Sequence, residues 1–425
     1  MVHHRRIHGH DRELPLFLVG DFVYPHEHVD VTNPFKAWNR DFKLLAAAVF
    51  AVGAFFGVQL GLYNNFVVSR LAIEPHELGY VEALREVPGF LQVIFIALMV
   101  RLAPSLISGV ALGIMGIGIA AYATVSSIPT LALYSVIWSI GFHLWAPLEQ
   151  ALALAYSPPG DKGRWLGQLR SVGSIAWLAS IGACMVLMDH VGYEGLFVLA
   201  GLAAVLGGVT LLFATRKVPA DEHKGILLKR EYALYYLLNF LGGWRKQMFI
   251  TFAIFALVKV HGMPVETTLV LAFVNQFLIT LSAPILGRMV DRFGERIMLS
   301  ASYIGLIFVF LGYGLIEHRP TLYVLYCIDN LIFFGSIALT TYIYKIAPQR
   351  DLKPTLSMGV TMNHVAAVIA PLVGGVVWHL FGYQIIFFAG SVLAFISLVA
   401  SQWVRVEERT GHDTVTSGGS DAGEC

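Results

Sequence analysis

A few ionisable side chains stand inside stretches otherwise too apolar to hold them. Glu82, Arg85 and Glu86 fall in residues 78–100, and His143 and Glu149 flank Pro147 in 130–156. Trp244, Arg245 and Lys246 interrupt 232–259, Asp329 and Asn330 sit in 321–346, and Asn363 and His364 in 355–379. A charge in hydrocarbon is costly, so such a residue marks a ligand or ion path unless a partner neutralises it. Arg85 is three residues from Glu82 on one helix face, so the two pair, whereas Glu86 is four residues from Glu82 and repels it when both are ionised. The trio reads equally as an outer-gate salt network or as part of a binding site. Arg245 and Lys246 cannot both face lipid. A cationic cavity wall favours an anionic or zwitterionic ligand, and the Arg fork suits a carboxylate or phosphate. Lys246 has the alternative of snorkelling to the surface. His143 and His364 are the groups easiest to cycle near neutral pH, although a His satisfied inside a helix bundle is an equal reading of His143. These types carry protons and recognise charge. No H-E-x-x-H, nucleophile–base arrangement or nucleotide-binding motif accompanies them, so the reading is no enzyme, no catalytic residue, no cofactor and no metal.

The surroundings explain why these charges stand out. The chain has 425 residues, 56% hydrophobic and 13% charged, against roughly 25% charged in soluble domains. Its mean hydropathy is +0.68. The formal net charge of +1 points to no nucleic-acid partner. Cys184, Cys327 and Cys425 have no spacing that suggests a disulfide framework or a zinc site. Residues 1–42 form a polar tail with His3, His4, His8, His10, His26 and His28, read as a flexible tail in preference to a metal-binding one. Residues 404–425 form a second tail, and its Gly/Ser/Asp-rich end from Thr410 to Cys425 reads as disordered.

Twelve segments reach the roughly 20 apolar residues that a membrane helix needs. They are 43–69, 78–100, 106–124, 130–156, 166–189, 193–214, 232–259, 266–287, 297–316, 321–346, 355–379 and 383–403. The expected fold is therefore all-α and integral to a lipid bilayer. A polar linker at 216–231 divides it into six-helix bundles at 43–215 and 232–403, the arrangement of parallel-repeat transporters. Charge sets the orientation. Even-numbered turns hold Arg101, Lys162, Arg164, Arg170, Arg216, Lys217, Lys224, Lys229, Arg230, Arg288, Arg292, Arg296, Lys345, Arg350 and Lys353, whereas odd-numbered turns hold Arg70, Lys259 and Arg319. The positive-inside rule then places linker and both termini in the cytoplasm. Gly53, Gly57 and Gly61 on the first segment, and Gly109, Gly113 and Gly116 on the third, form small-residue faces suited to close helix packing.

The turn after the eighth segment reads Gly287-Arg288-Met289-Val290-Asp291-Arg292-Phe293-Gly294-Glu295-Arg296. It resembles the signature loop of the major facilitator superfamily, G-x-x-x-D-R-x-G-R/K-R/K. Gly287, Asp291, Arg292, Gly294 and Arg296 match, and Glu295 occupies a position that is often basic. The first-half turn, Met99 to Ser105, lacks the motif. The turn Gly160 to Gln168 resembles the family's loop between helices 4 and 5, and Pro371, Gly374 and Gly375 make a P-x-x-G-G kink. The resemblance covers roughly residues 43–403. It implies a gating loop in which Asp291 latches onto a neighbouring helix and holds the outward-closed state. It also implies a central cavity lined by helices 1, 4, 7 and 10, which singles out Asn64, His143, Arg245 and Asp329.

The substrate-path candidates are thus Asn64, His143, Trp244, Arg245, Asp329 and Asn363. The proton-coupling candidates are Glu82, Glu86, His143, Glu149, Asp329 and His364. The expected function is secondary active, proton-coupled transport of a small organic solute by alternating access, carried out by a monomer in a plasma membrane of the bacterial inner-membrane type. The glycine-proline signature of many drug/proton antiporters is missing from Val172–Leu187, which tilts the reading away from drug export. The alternative is a non-transporting sensor or assembly factor with the same fold.

Overall fold

The computed structural model describes residues 38–99, 102–216, 218, 227–332 and 335–405. The tail histidines, the C-terminal tail beyond residue 405, and Arg101, Lys217 and Lys224 lie outside them. Everything discussed below belongs to the compact unit that begins at Asn39.

The described chain is helical. Its helices are α1 (Arg40–Leu71), α2 (Pro75–Met99), α3 (Pro104–Ala120), α4 (Ile128–Tyr156), α5 (Lys162–Leu212), α6 (Ala233–Lys259), α7 (Val265–Phe293), α8 (Glu295–Leu315), α9 (Arg319–Ile332), α10 (Gly335–Ile346), α11 (Gln349–Phe381) and α12 (Tyr383–Ser401). Local chemistry explains several ends. The Asn39 side chain accepts the Phe42 N–H at 2.9 Å, and Ser127 with Thr130 makes a capping box before α4.

Two elements differ from the expected segments. The fifth and sixth are not separated by a loop; within α5 the chain turns at the single residue Gly192, at φ 64° and ψ −171°. Only glycine takes that backbone conformation cheaply. The tenth span is described as α9 and α10, on either side of residues 333–334. Nine helical stretches among the described residues are long and apolar enough to cross a membrane by length and composition, and one of them, Lys162–Leu212, holds two spans. The stretches outside those nine include α2 and α6, which carry Glu82, Arg85 and Glu86, and Arg245 and Lys246. Twelve spans result.

The packing repeats. In the first half α1 packs on both parts of α5 and α3 on the part after Gly192; in the second half α6 packs on α11 and α12, and α8 on α12. Across the halves α2 packs on α11 and α5 on α7. Each pairing has its counterpart six spans later, as a parallel repeat requires. Small residues set the spacing. A Cβ on Gly53 or Gly57 would collide with Gly173 or Ser180 of α5, and one on Gly109 or Gly116 with Gly208 or Gly201. The expected small faces thus exist, except that Gly61 meets Leu269 across the halves and a Cβ on Gly113 would meet open space.

The halves close on each other at the end away from the linker. There Lys259 binds Glu74 at 2.9 Å and the Ile73 carbonyl at 2.8 Å, and the Asn65 amide donates to the Met263 carbonyl at 2.9 Å. The His76 and His379 rings lie 4.4 Å apart, and Gly79 and Gly375 let the α2 and α11 backbones touch. At the linker end Lys162, Arg164 and Asp291 are exposed, and Gly163, Gly167 and Gly294 border open space.

Candidate functional site

Three polar constellations lie along the inner faces of the helices. The first is on α2. Arg85 pairs with Glu82 at 2.5 Å and with Glu86 at 3.0 Å, its guanidinium sits 5.5 Å from the Trp138 ring centre, and the Ser139 hydroxyl donates to its carbonyl. The expected i,i+3 pairing is present, and Arg85 also separates the two carboxylates whose repulsion the spacing implied. Glu82 and Arg85 form one wall of a cleft completed by Gln59, Tyr63, Asn64 and Thr251. Two of the trio, Glu82 and Arg85, thus face a small cleft between α1, α2 and α6.

The second constellation joins the halves. Glu86 of α2, His143 of α4 and His364 of α11 bring ligand-type atoms within 4.8 Å of one another. His364 Nδ1 is 3.6 Å from Glu86 Oε2, and the His143 and His364 rings are 5.1 Å apart. His143 Nδ1 faces the Ser139 carbonyl at 2.9 Å, one helical turn back. Lys246 of α6 lies within electrostatic reach of Glu86.

The third is in the second half. Arg245 Nη1 donates to Asp329 Oδ1 at 3.0 Å, and the two side chains are 6% and 7% exposed. Arg245 is the thirteenth residue of the 27 in α6, so it lies at mid-span. Its neighbours are tethered locally: Gln247 donates to Thr251, and Asn330 to the Tyr326 carbonyl. Trp244 stacks edge-on with Phe240 at 5.8 Å, and Asn363 packs against Gly243. Glu149 belongs to none of the three. It is half-buried beyond Pro147 and faces Arg170 of α5, toward the linker end.

The gating-loop candidates occupy the linker end. Gly294 at φ 78° reverses the chain between α7 and α8. Asp291 and Arg292 are exposed, and Arg296 reaches Gln402 after α12 at 3.2 Å. Gly287 lies in the last turns of α7. Among the described residues Asp291 takes no partner, while the opposite end is closed. Asp291 therefore stands far from the contacts that close that end. The reason is geometric: α7 has 29 residues, so its ends stand roughly 40 Å apart at 1.5 Å per residue.

Several residues were missed in the sequence. Glu295 is buried, 4% exposed, and binds Lys345 of α10 at 2.6 Å. Burial pushes its carboxyl up, but the Lys345 ammonium and local donors outweigh this and hold it below the ordinary value. The family's basic residue is thus replaced by an acid with its own basic partner. Asp351 at the start of α11 binds Lys229 at 2.5 Å and Tyr232 at 3.0 Å, and Asp41 accepts the Thr215 and Arg216 N–H groups at 3.2 and 2.8 Å. Both ends of the linker are thereby tied to helix starts. Only the Ser139–His143 spacing of four residues was legible beforehand, as one helix face.

Comparison with known proteins places this geometry. The Major Facilitator Superfamily matches over residues 44–351 and 235–422. Among solved structures, the nucleoside transporter NupG in a mutant form aligns at TM-score 0.74 and 13% identity, covering 86% of this chain and 99% of that one. A bacterial homologue of the human lysosomal transporter Spinster, inward-facing and occupied, aligns at TM-score 0.67 and 16% identity, covering 85% and 96%. Its unoccupied inward-facing form aligns at 0.66 and 13%, covering 85% and 97%. A comparison with curated proteins finds no match. These likenesses establish a shared fold, and the family match spans both halves, so the chain is a multi-pass membrane protein of the Major Facilitator Superfamily.

Proposed function

We propose that the protein is a proton-coupled secondary transporter for a small organic solute with an anionic group, and that Arg245 and Asp329 are the coupling pair. The observation that carries this is their buried contact at mid-span. A buried ion pair is a weak source of stability, which leaves room for a functional reason to keep it. Substrate carboxylate or phosphate competes with Asp329 for the Arg245 fork. A proton on Asp329 releases Arg245, and deprotonation recaptures it and expels the substrate. Glu82 and Arg85 beside Asn64 present both signs of charge to a cleft between α1, α2 and α6, which supports a zwitterionic solute.

In this reading the boundaries are a tail at 1–42, bundles at 43–215 and 232–403, a cytoplasmic linker at 216–231 and a tail at 404–425. With the linker inside, the structure is closed outward, and its likeness to inward-facing Spinster homologues supports that orientation. Asp291 then latches the opposite, inward-closed state. The likeness to the nucleoside transporter NupG makes nucleosides a natural class to screen first.

The test is uptake into proteoliposomes with and without an inwardly directed proton gradient, acid outside, across amino acids, organic acids, phosphate esters and nucleosides. Gradient-stimulated accumulation of an anionic or zwitterionic solute is expected. Binding without flux under any gradient would favour the non-transporting sensor reading.

A further inference from the structure

We propose that Glu86, His143 and His364 form a binding site for one divalent transition-metal ion of the zinc, nickel or cobalt type, assembled only when the two halves close at the end away from the linker. No linear spacing announces it, because the three residues come from α2, α4 and α11.

Each ligand is prepared in a way the transport reading does not require. His143 turns Nδ1 to the Ser139 carbonyl at 2.9 Å, which makes that nitrogen the N–H donor and leaves Nε2 a bare lone pair. That backbone anchoring is the outer-shell arrangement of most metal-bound histidines. Glu86 receives Arg85 on Oε1 at 3.0 Å, while Oε2 points to His364. His364 Nδ1 is buried without a hydrogen-bond partner, and 3.6 Å from Glu86 Oε2 is too long for one. Gly89 forms the floor: a Cβ there would lie 2.5 Å from His143 Nε2 and 2.6 Å from His364 Nδ1. The two nitrogens therefore converge over one point, and the residue beneath is the smallest available.

The size fits. Tetrahedral ligands at zinc distances of about 2.0–2.1 Å stand roughly 3.3 Å apart. The observed atoms lie within 4.8 Å of one another, so modest side-chain rotation closes the set. Two imidazoles and a carboxylate select zinc, nickel or cobalt over magnesium or calcium, and three protein ligands leave a fourth position open. The charged groups facing the site are Arg85 and Glu82 on α2 and Lys246 on α6. The two cations offset the two carboxylates, so binding is of exchangeable strength, not permanent. Because two ligands belong to the first half and one to the second, the ion staples α2 and α4 to α11. A ligand that binds one state shifts the equilibrium toward it, so the ion arrests the transport cycle.

The experiment uses the full chain with His3, His4, His8, His10, His26 and His28 replaced by Gln, since the tail would bind metal itself. Cobalt(II) is titrated into detergent-purified protein and followed by visible absorption, and zinc is followed by calorimetry and thermal shift. One equivalent with the intense bands of four- or five-coordinate cobalt is expected, displaced by zinc, with a zinc-dependent rise in melting temperature. His364→Gln, His143→Gln and Gly89→Ala should each weaken binding at least tenfold and abolish the thermal shift. Monodisperse elution of at least one of these variants shows that the fold survives. Absence of the bands in the tail-substituted protein, or equal bands in His364→Gln and His143→Gln, overturns the proposal. Zinc that binds only at the rim pair also overturns it: loss in His76→Gln and retention in His364→Gln would show this.

Discussion

Arg245 and Asp329 offer the sharpest test, because a structural pair and a coupling pair respond differently to the same substitutions. Both side chains are less than a tenth exposed and meet at 3.0 Å. Removing one partner strands the other charge in the bundle, at a cost of about 3–5 kcal/mol. Arg245→Ala and Asp329→Asn should therefore each lower thermal stability in detergent, and the Asp329→Asn loss should not be relieved at low pH, because a stranded guanidinium cannot shed its charge whereas a stranded carboxylate can take a proton. The double mutant leaves neither charge, so it should be less destabilised than the sum by up to about 3 kcal/mol, the coupling typical of contacting residues. Stability alone does not distinguish the readings; flux does. Asp329→Asn imitates the protonated acid and leaves Arg245 free. It should retain substrate exchange across the bilayer but lose accumulation driven by a pH gradient, with a flattened pH profile. Arg245→Ala should weaken substrate binding at least tenfold. The assay is counterflow and gradient-driven uptake side by side in proteoliposomes, on variants that elute as folded protein. If folded Asp329→Asn still accumulates substrate with the wild-type pH profile, the coupling argument is refuted. If the double mutant regains both stability and full flux, the pair is structural only.

Three further outcomes are expected. Asp291→Asn should slow flux severalfold and change substrate affinity less than threefold, because a latch alters the balance of states and not the central site; unaltered flux would remove the latch. Gly57→Ala should destabilise by about 1–3 kcal/mol, since its Cβ would stand 1.9 Å from Ser180 Oγ and 2.7 Å from the Trp177 carbonyl, whereas Gly113→Ala, facing open space, should be neutral or slightly stabilising in the same thermal-shift assay. At Asp351 the hydrogen bond from Lys229 holds the carboxyl below its ordinary value against the opposing effect of burial. A depressed carboxylate stabilises above its unfolded pKa of about 3.9 and loses that contribution as pH falls through the lower folded value. Asp351→Asn should therefore melt earlier than wild type at pH 7, with the difference closing below about pH 4.

The membrane architecture was legible because it is set by one-dimensional quantities. A bilayer demands runs of apolar residues of a given length, so twelve spans follow without any knowledge of contacts. The turn at residues 287–296 was legible for the same reason, since Gly294 must reverse the chain directly after α7. Pairing along one helix was also readable: Glu82 with Arg85 needed only the i,i+3 rule. What the sequence left open was every relation between helices. Glu86 and His364 are separated by most of the chain, and nothing in either neighbourhood reveals that α2 and α11 cross where both point inward. Glu295 looked like a departure from a basic position until the fold set Lys345 beside it. Asp291 marks the linker end, but which end of the bundle is closed depends on how the two halves lean, a tertiary property that leaves no mark on local residue spacing. The sequence alone determined which side chains had to be justified inside the membrane. Only the packing of the two halves decided their partners, because those partners are chosen by helix crossings and not by proximity along the chain.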